Sequence, residues 1–174
     1  RGHQVIALSR RGGDAVAALD VGDKDEVAVS ARGCDGAFLC TGKVSRDPAD
    51  AEQLHRHNVV ATRNALAGLR QAGVRRVVVA STSGTIAVSS DASQIADEES
   101  SAPMDLIARW PYYRSKLYGE REALGANAPE FEVVIVNPSL LLGPGDLQGS
   151  STIDLQRFLE RAIPAVPAGG IAFV

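Results

Sequence analysis

Tyr112 and Lys116 stand four residues apart in Arg109-Trp110-Pro111-Tyr112-Tyr113-Arg114-Ser115-Lys116, which runs on into Leu117-Tyr118-Gly119-Glu120-Arg121-Glu122-Ala123-Leu124. Strong helix formers, apolar residues at helical spacing and Pro111 near the start predict a helix here. Residues i and i+4 share a helix face, so the phenol and the ammonium project together. An ammonium near a tyrosine favours the phenolate and is expected to lower the phenol pKa toward working pH. A phenol so tuned exchanges a proton with an alcohol or a ketone. The same spacing also arises where the Tyr only packs and the Lys only meets water, so the pair takes its meaning from the chain around it.

The elements that must position the pair are legible as alternating runs. Residues 4–9 form a nearly continuous apolar run, predicted as a strand buried on both faces and ended by Arg10-Arg11-Gly12-Gly13. Residues 25–32 suit a short helix stopped by Gly33, and residues 36–40 a second strand. Asp47 is the expected N-cap of a long helix over 48–72, with Gly73 just past its end. The β-branched run 74–80 is the clearest strand, 81–103 reads as polar loop, and 131–136 as another buried strand. Asn137-Pro138 and Gly143-Pro144-Gly145 break the chain before a helix over 152–162. Strands alternating with helices imply parallel pairing with helical crossovers. Ligands then bind at the carboxyl ends of strands: Ser9-Arg10, Cys40-Thr41-Gly42, Ser81-Thr82-Ser83 and Asn137-Pro138-Ser139.

Bulk properties narrow the classes. A length of 174 residues fits one compact domain or a large part of one, and 45% hydrophobic with 22% charged residues is a globular composition. A net charge of −3 offers no basic footprint, so no nucleic-acid partner is expected. No apolar run approaches the roughly 18 residues of a membrane span. If 36–40 is a strand, Cys34 and Cys40 lie six steps of about 3.3 Å apart, roughly 20 Å, far beyond disulfide reach of about 7 Å. Both are expected to be free thiols of a reducing cytoplasm, each a small buried hydrophobe. His55 and His57, two apart on a helix, point in different directions, and no ligand spacing occurs elsewhere; no metal is expected.

Further segments add to this frame. Asp20-Val21-Gly22-Asp23 forms an acidic segment, and Asn58-Val59-Val60-Ala61-Thr62-Arg63-Asn64 follows on the long helix. Ala72-Gly73-Val74-Arg75-Arg76-Val77-Val78 leads to the hydroxyl triplet, before Tyr112-x-x-Ser115-Lys116, Asn137-Pro138-Ser139 and Gly143-Pro144-Gly145. In this order and spacing the chain resembles the extended short-chain dehydrogenase/reductase family, and within it the dihydroflavonol-reductase-like and epimerase/dehydratase branches. Ala61 stands where that family usually has glycine.

The resemblance implies an α/β fold with a Rossmann-like, doubly wound parallel sheet. It implies an NAD(P)-dependent oxidoreductase that interconverts a ketone and a secondary alcohol. One alternative is an NAD-dependent sugar-nucleotide epimerase or dehydratase. Another is a non-catalytic NAD(P)-sensing protein, a type that tends to lose the Tyr/Lys pair kept here. Tyr112 would be the general acid/base, and Lys116 its pKa modulator and a ribose ligand. Thr82, anchored by Gly84-Thr85, would polarise the carbonyl, with Ser81 or Ser83 as the alternatives. Asn58 either organises water and backbone near the site or kinks its helix, and Tyr113 is substrate-facing or structural. Asp20 and Val21 would meet adenine, while Cys40 and Thr41 lie at a strand end on the cofactor side. Lys116, Pro138 and Ser139 would adjoin the nicotinamide half. Arg10, followed by Arg11, would face the adenosine ribose, where an Arg suits a 2′-phosphate and favours NADP over NAD, unless the two are simply solvated charges. The partners implied are a small carbonyl or alcohol substrate and a second copy in a homodimer. The family's first strand and Gly-x-x-Gly-x-x-Gly turn have no counterpart here. The expectation is therefore an inner portion of a larger protein: residues 1–144 as an N-terminally incomplete dinucleotide-binding domain, and 145–174 as the start of the substrate lobe.

Overall fold

The computed structural model describes residues 2–146, 151–165 and 168–174. In chain order its elements are β1 (Ala7–Ser9), β2 (Val16–Ala18), α1 (Lys24–Ser30), β3 (Gly36–Leu39) and α2 (Ala51–His55), then α3 (Ala61–Gln71), β4 (Arg76–Ala80), α4 (Met104–Ile107), α5 (Pro111–Ala126), β5 (Glu132–Val136) and α6 (Thr152–Leu159). A 3-10 turn, Pro48–Asp50, precedes α2, and a π turn, Arg56–Val60, joins α2 to α3. The long helix read from the sequence is therefore continuous but not uniformly α. Asp47 caps it, accepting from the Ala49 N–H at 2.9 Å, and Gly73 ends it at φ 83°. Asp23 caps α1 through the N–H groups of Asp25 and Glu26.

All strand pairing within the named sheets is parallel, as the alternation predicts. The sheet is not one continuous body, however. β3, β4 and β5 form a three-stranded sheet in that order, and β1 pairs only with β2. Neither is it covered on both faces among the described residues. In the three-stranded sheet, Ala37, Val77 and Val133 share one face with Leu39, Val79 and Ile135. This face meets α1, α3 and α5 through Val27, Ala31, Ala65, Leu66, Leu69 and Ala123, with Phe131 buried at its end. Phe38, Val78 and Val134 share the opposite face, where Phe38 is 82% exposed. The runs expected to be buried on both faces thus alternate. An apolar run is compatible with cover on either one face or two, and sequence alone does not say which. The first strand is likewise shorter than expected, with Val5 and Ile6 exposed. β2 and α4 were not anticipated; three and four residues long, they leave too little periodicity to read.

α5 lies close on α3 and the π turn. A Cβ at Gly119 would overlap the carbonyl oxygen of Asn58, so only glycine lets the two helices approach this closely. Gly119→Ala should lower stability by about 1–3 kcal/mol, the usual cost of overpacking. Gly125→Ala, on the same helix but with nothing within 4 Å of its Cβ, should be neutral or stabilise by up to about 1 kcal/mol. Urea unfolding of both variants checks the contrast, and equal effects would mean that the helices have room to separate.

Candidate functional site

Tyr112 sits in the first turn of α5, which Pro111 opens at a position where its missing N–H leaves no partner wanting. Its carbonyl oxygen accepts from the Ser115 hydroxyl at 2.7 Å, and that hydroxyl accepts from Asn58 Nδ2 at 2.9 Å. Asn58 is 3% exposed. Its Oδ1 accepts from the Lys43 N–H at 2.7 Å and its Nδ2 donates to the Lys43 carbonyl at 2.9 Å. Both amide protons and the amide oxygen are thereby engaged. Asn58 thus holds the Lys43 backbone, and it lies within the π turn Arg56–Val60.

Lys116 points from α5 to the end of β4, where Nζ donates to the Ala80 carbonyl at 2.7 Å. Burial holds its pKa below the ordinary value, while Glu120 and Cys40 pull it back up. The Tyr112 phenol is displaced upward, first by burial and then by Tyr113. This corrects the expectation that Lys116 lowers it: the ammonium is turned onto Ala80, and burial dominates the phenol. Tyr113 lies over Gly84, where a Cβ would overlap its ring, and stacks on Trp110 with ring centroids 5.8 Å apart.

The hydroxyl triplet divides its tasks. Thr82 Oγ1 accepts from the Gly84 N–H at 3.3 Å, capping the 3-10 turn Ser83–Thr85, and keeps its own proton for another acceptor. Ser83 Oγ accepts from the Ser139 hydroxyl at 3.2 Å, and the Ser83 N–H donates to the Pro138 carbonyl at 2.9 Å. Ser81 Oγ is buried with no hydrogen-bond partner among the described residues.

The structure therefore links Tyr112 to Asn58 through Ser115, places Lys116 at the end of β4, and joins the β4 loop to Pro138 and Ser139. Arg10, Asp20 and Val21 stand apart from this network on the β1–β2 unit. Arg10 is exposed and has no ion-pair partner among the described residues. Asp20 Oδ1 accepts from the Gly22 N–H at 2.8 Å, and Val21 packs against the core. Asn64 Nδ2 donates to the Gly22 carbonyl at 2.8 Å, fastening this acidic segment to α3. Thr41 is half-buried. Both cysteines are free; Cys34 packs against the core, but Cys40 is exposed and so is not the buried hydrophobe expected.

Sequence reasoning overlooked Ser115 as a link, Lys43 as a backbone partner and Gly84 as the seat of Tyr113. Only Ser115 carried a signal, being one residue before Lys116. A hollow of about 380 Å³ beside Phe158, Leu159, Arg161 and Ile163 is lined by none of the candidate residues. Among the described residues no three His, Cys, Asp or Glu side chains cluster, and no helix is long and apolar enough to cross a membrane.

A dinucleotide finds suitable groups here. Lys116 retains two N–H donors beyond the one used on Ala80, and Ser81 offers a buried unpartnered hydroxyl. Gly42 keeps clear a space that a Cβ would share with Asn58 Oδ1, at 3.0 Å, and Lys116 Nζ, at 3.9 Å. Arg10, just after β1, supplies an exposed cation with no ion-pair partner among the described residues.

Comparison with known proteins bears on the family and the fold. The family model described as "NAD dependent epimerase/dehydratase family" matches residues 1–168. A Synechocystis protein described as "Putative dihydroflavonol 4-reductase" is 38% identical over 144 residues, covering 82% of this chain and 41% of its own. "Sterol demethylase protein B" of Methylococcus capsulatus is 31% identical over 193 residues, covering all of this chain and 58% of its own. The crystal structure of gox2253 superposes with a TM-score of 0.86 at 26% identity, over 99% of this chain and 55% of that one. MoeE5, solved in complex with UDP-glucose and NAD, shares the fold with a TM-score of 0.75 at 24% identity, over 99% and 59%. The chain spans about half the length of these relatives. With the parallel α/β fold and the family model extending over nearly its whole length, the chain belongs to the NAD dependent epimerase/dehydratase family.

Proposed function

We propose that the protein is an NAD(P)-dependent oxidoreductase acting at a carbon that alternates between carbonyl and secondary alcohol. The observation that carries this reading is the tie between α5 and the β4 end: Tyr112 and Lys116 lie four residues apart on one helix, and Lys116 Nζ donates to the carbonyl of Ala80, two residues before Thr82. A bound nicotinamide dinucleotide would supply or accept the hydride. Tyr112 passes the proton; its raised pKa keeps the phenol protonated, the form that donates to a carbonyl oxygen. Thr82 donates a hydrogen bond to that oxygen as charge develops. Lys116 holds ribose hydroxyls with its remaining donors, and Asn58 keeps the Lys43 segment clear of them. Pro138 and Ser139 border the nicotinamide side, Cys40 and Thr41 the middle of the cofactor, and Asp20 and Val21 the adenine. On this reading residues 1–144 belong to the dinucleotide-binding half and 145–174 begin the substrate side.

Two substrate classes remain in view. The name of the matching family and the sugar nucleotide in the MoeE5 structure favour an NAD-dependent epimerase or dehydratase of sugar nucleotides. The Synechocystis relative, by its name, supports a dihydroflavonol-like ketone reductase. The whole protein assayed with UDP-glucose and NAD, and with a carbonyl panel and NADPH or NADH, separates them; turnover in neither set would sink the reading.

Tyr112→Phe should cut turnover by about 10²–10⁴-fold, the usual share of a general acid–base step, while cofactor affinity changes less than about threefold. Turnover within about tenfold of wild type would remove Tyr112 from the proton-transfer role.

Arg10→Asp should shift preference from NADP toward NAD, because it places a carboxylate where a 2′-phosphate would sit. The ratio of kcat/KM values for the two cofactors reads this directly. An unchanged ratio would show Arg10 to be a solvated charge.

A further inference from the structure

Glu120 continues the face of α5 that carries Tyr112 and Lys116, eight and four residues on. It is buried, at 8% exposed, and takes no part in the chemistry described above. Its Oε1 accepts from Thr85 Oγ1 at 2.8 Å and from Asn137 Nδ2 at 2.7 Å. Thr85, wholly buried, also contacts the Thr82 carbonyl at 2.8 Å. Asn137 Nδ2 lies 3.2 Å from that same carbonyl and 3.0 Å from Thr85 Oγ1. An amide NH₂ carries two protons and a hydroxyl one, so three protons serve these five contacts. The two contacts that end on Glu120 are among the shortest. Without that oxygen, Thr85 and Asn137 lose the acceptor they share.

The three elements joined at this point are those that hold the candidate chemistry. Thr82 lies in the loop after β4, Asn137 leads into Pro138 and Ser139 after β5, and α5 carries Tyr112 and Lys116. Packing a helix on a sheet requires only apolar side chains. A buried carboxyl costs desolvation that a leucine would not, so its contribution lies in geometry rather than in packing. It also favours the proton on Lys116, as Cys40 does, against the effect of burial.

We propose that Glu120 is a positioning residue: acting through Thr85 and Asn137, it fixes Thr82 and the Pro138–Ser139 segment relative to Tyr112 and Lys116. The inference rests on the catalytic reading of Tyr112 and Thr82 given above.

The test compares Glu120→Leu, Glu120→Gln and Tyr112→Phe in the whole protein, with Thr85→Val cutting the same link from the other side should the leucine variant fail to fold. The first readout is amide hydrogen exchange, which needs no turnover. Ser81, Ser83 and Thr85 donate their N–H groups to Val136, Pro138 and Thr82. In Glu120→Leu these three amides should exchange at least about tenfold faster, while Val77 and Val79 in β4 stay within about threefold. Glu120→Gln should restore protection, because its amide oxygen accepts both bonds. The second readout is kinetic: kcat should fall about 10–100-fold in Glu120→Leu with KM within about threefold, and Glu120→Gln should recover most of it. Unchanged exchange at the three amides would overturn the proposal, as would uniformly faster exchange along β4, the sign of a purely stabilising role. Local exchange without loss of kcat would also overturn it. If Tyr112→Phe retains turnover while the local exchange pattern holds, the catalytic reading fails and the anchoring of the two loops by Glu120 stands.

Discussion

The side-chain amide of Asn58 is the interaction on which the arrangement of the site depends. It is buried at the junction of three segments that are distant in sequence: the loop after β3, the π turn before α3, and the first turns of α5. A buried amide left without partners costs about 1–3 kcal/mol per unsatisfied group. Here every proton has an acceptor and the oxygen has a donor. Asn58 and Ser115 thereby join the Lys43 backbone to α5. Gly119 permits the approach and Ser115 receives the contact. A larger residue at 119, or an apolar one at 115, would leave Asn58 with a clash or an unused proton.

Around that junction the polar links have separate duties. Lys116 ties α5 to β4 through Ala80. Ser83 ties the β4 loop to Pro138 and Ser139. The apolar contact among α1, α3, α5 and one face of the sheet supplies adhesion without direction. The hydrogen bonds at the strand ends choose among the packings that adhesion would allow. Tyr113 on Gly84 adds a steric stop, so the aromatic side of the site is set by shape while the cationic side is set by hydrogen bonds.

Much of this was legible in the sequence, for identifiable reasons. Asp47 and Gly73 bracket a helix because capping and positive φ are local requirements, written in single residues. The parallel pairing of β3, β4 and β5 follows from alternation, and Tyr112 and Lys116 share a face because the helix period is fixed. What failed were properties that depend on neighbours. Phe38 lies on an open face because cover is a tertiary matter. The direction of the Tyr112 shift depends on burial and on Lys116 turning toward Ala80, and neither can be read from a four-residue spacing. The exposure of Cys40, one residue past the buried Leu39, reflects the strand ending there.

The π turn at Arg56–Val60 has a bearing on how this helix tolerates insertion and deletion. A π turn holds one residue more than the α turn it replaces, so it acts as a phase adjuster between α2 and α3. Each residue of an α-helix corresponds to about 100° of rotation. Shortening the stretch by one residue would regularise the hydrogen bonding locally. Because the π turn already absorbs that residue, the helix after it would keep its facing, with Asn64 on Gly22, Arg63 on Glu122, and Leu66 and Leu69 in the core; a deletion in the regular α2 stretch would instead turn all of these by that angle. The irregular turn thus keeps two halves of one helix in different registers, one matched to the site and the other to the core.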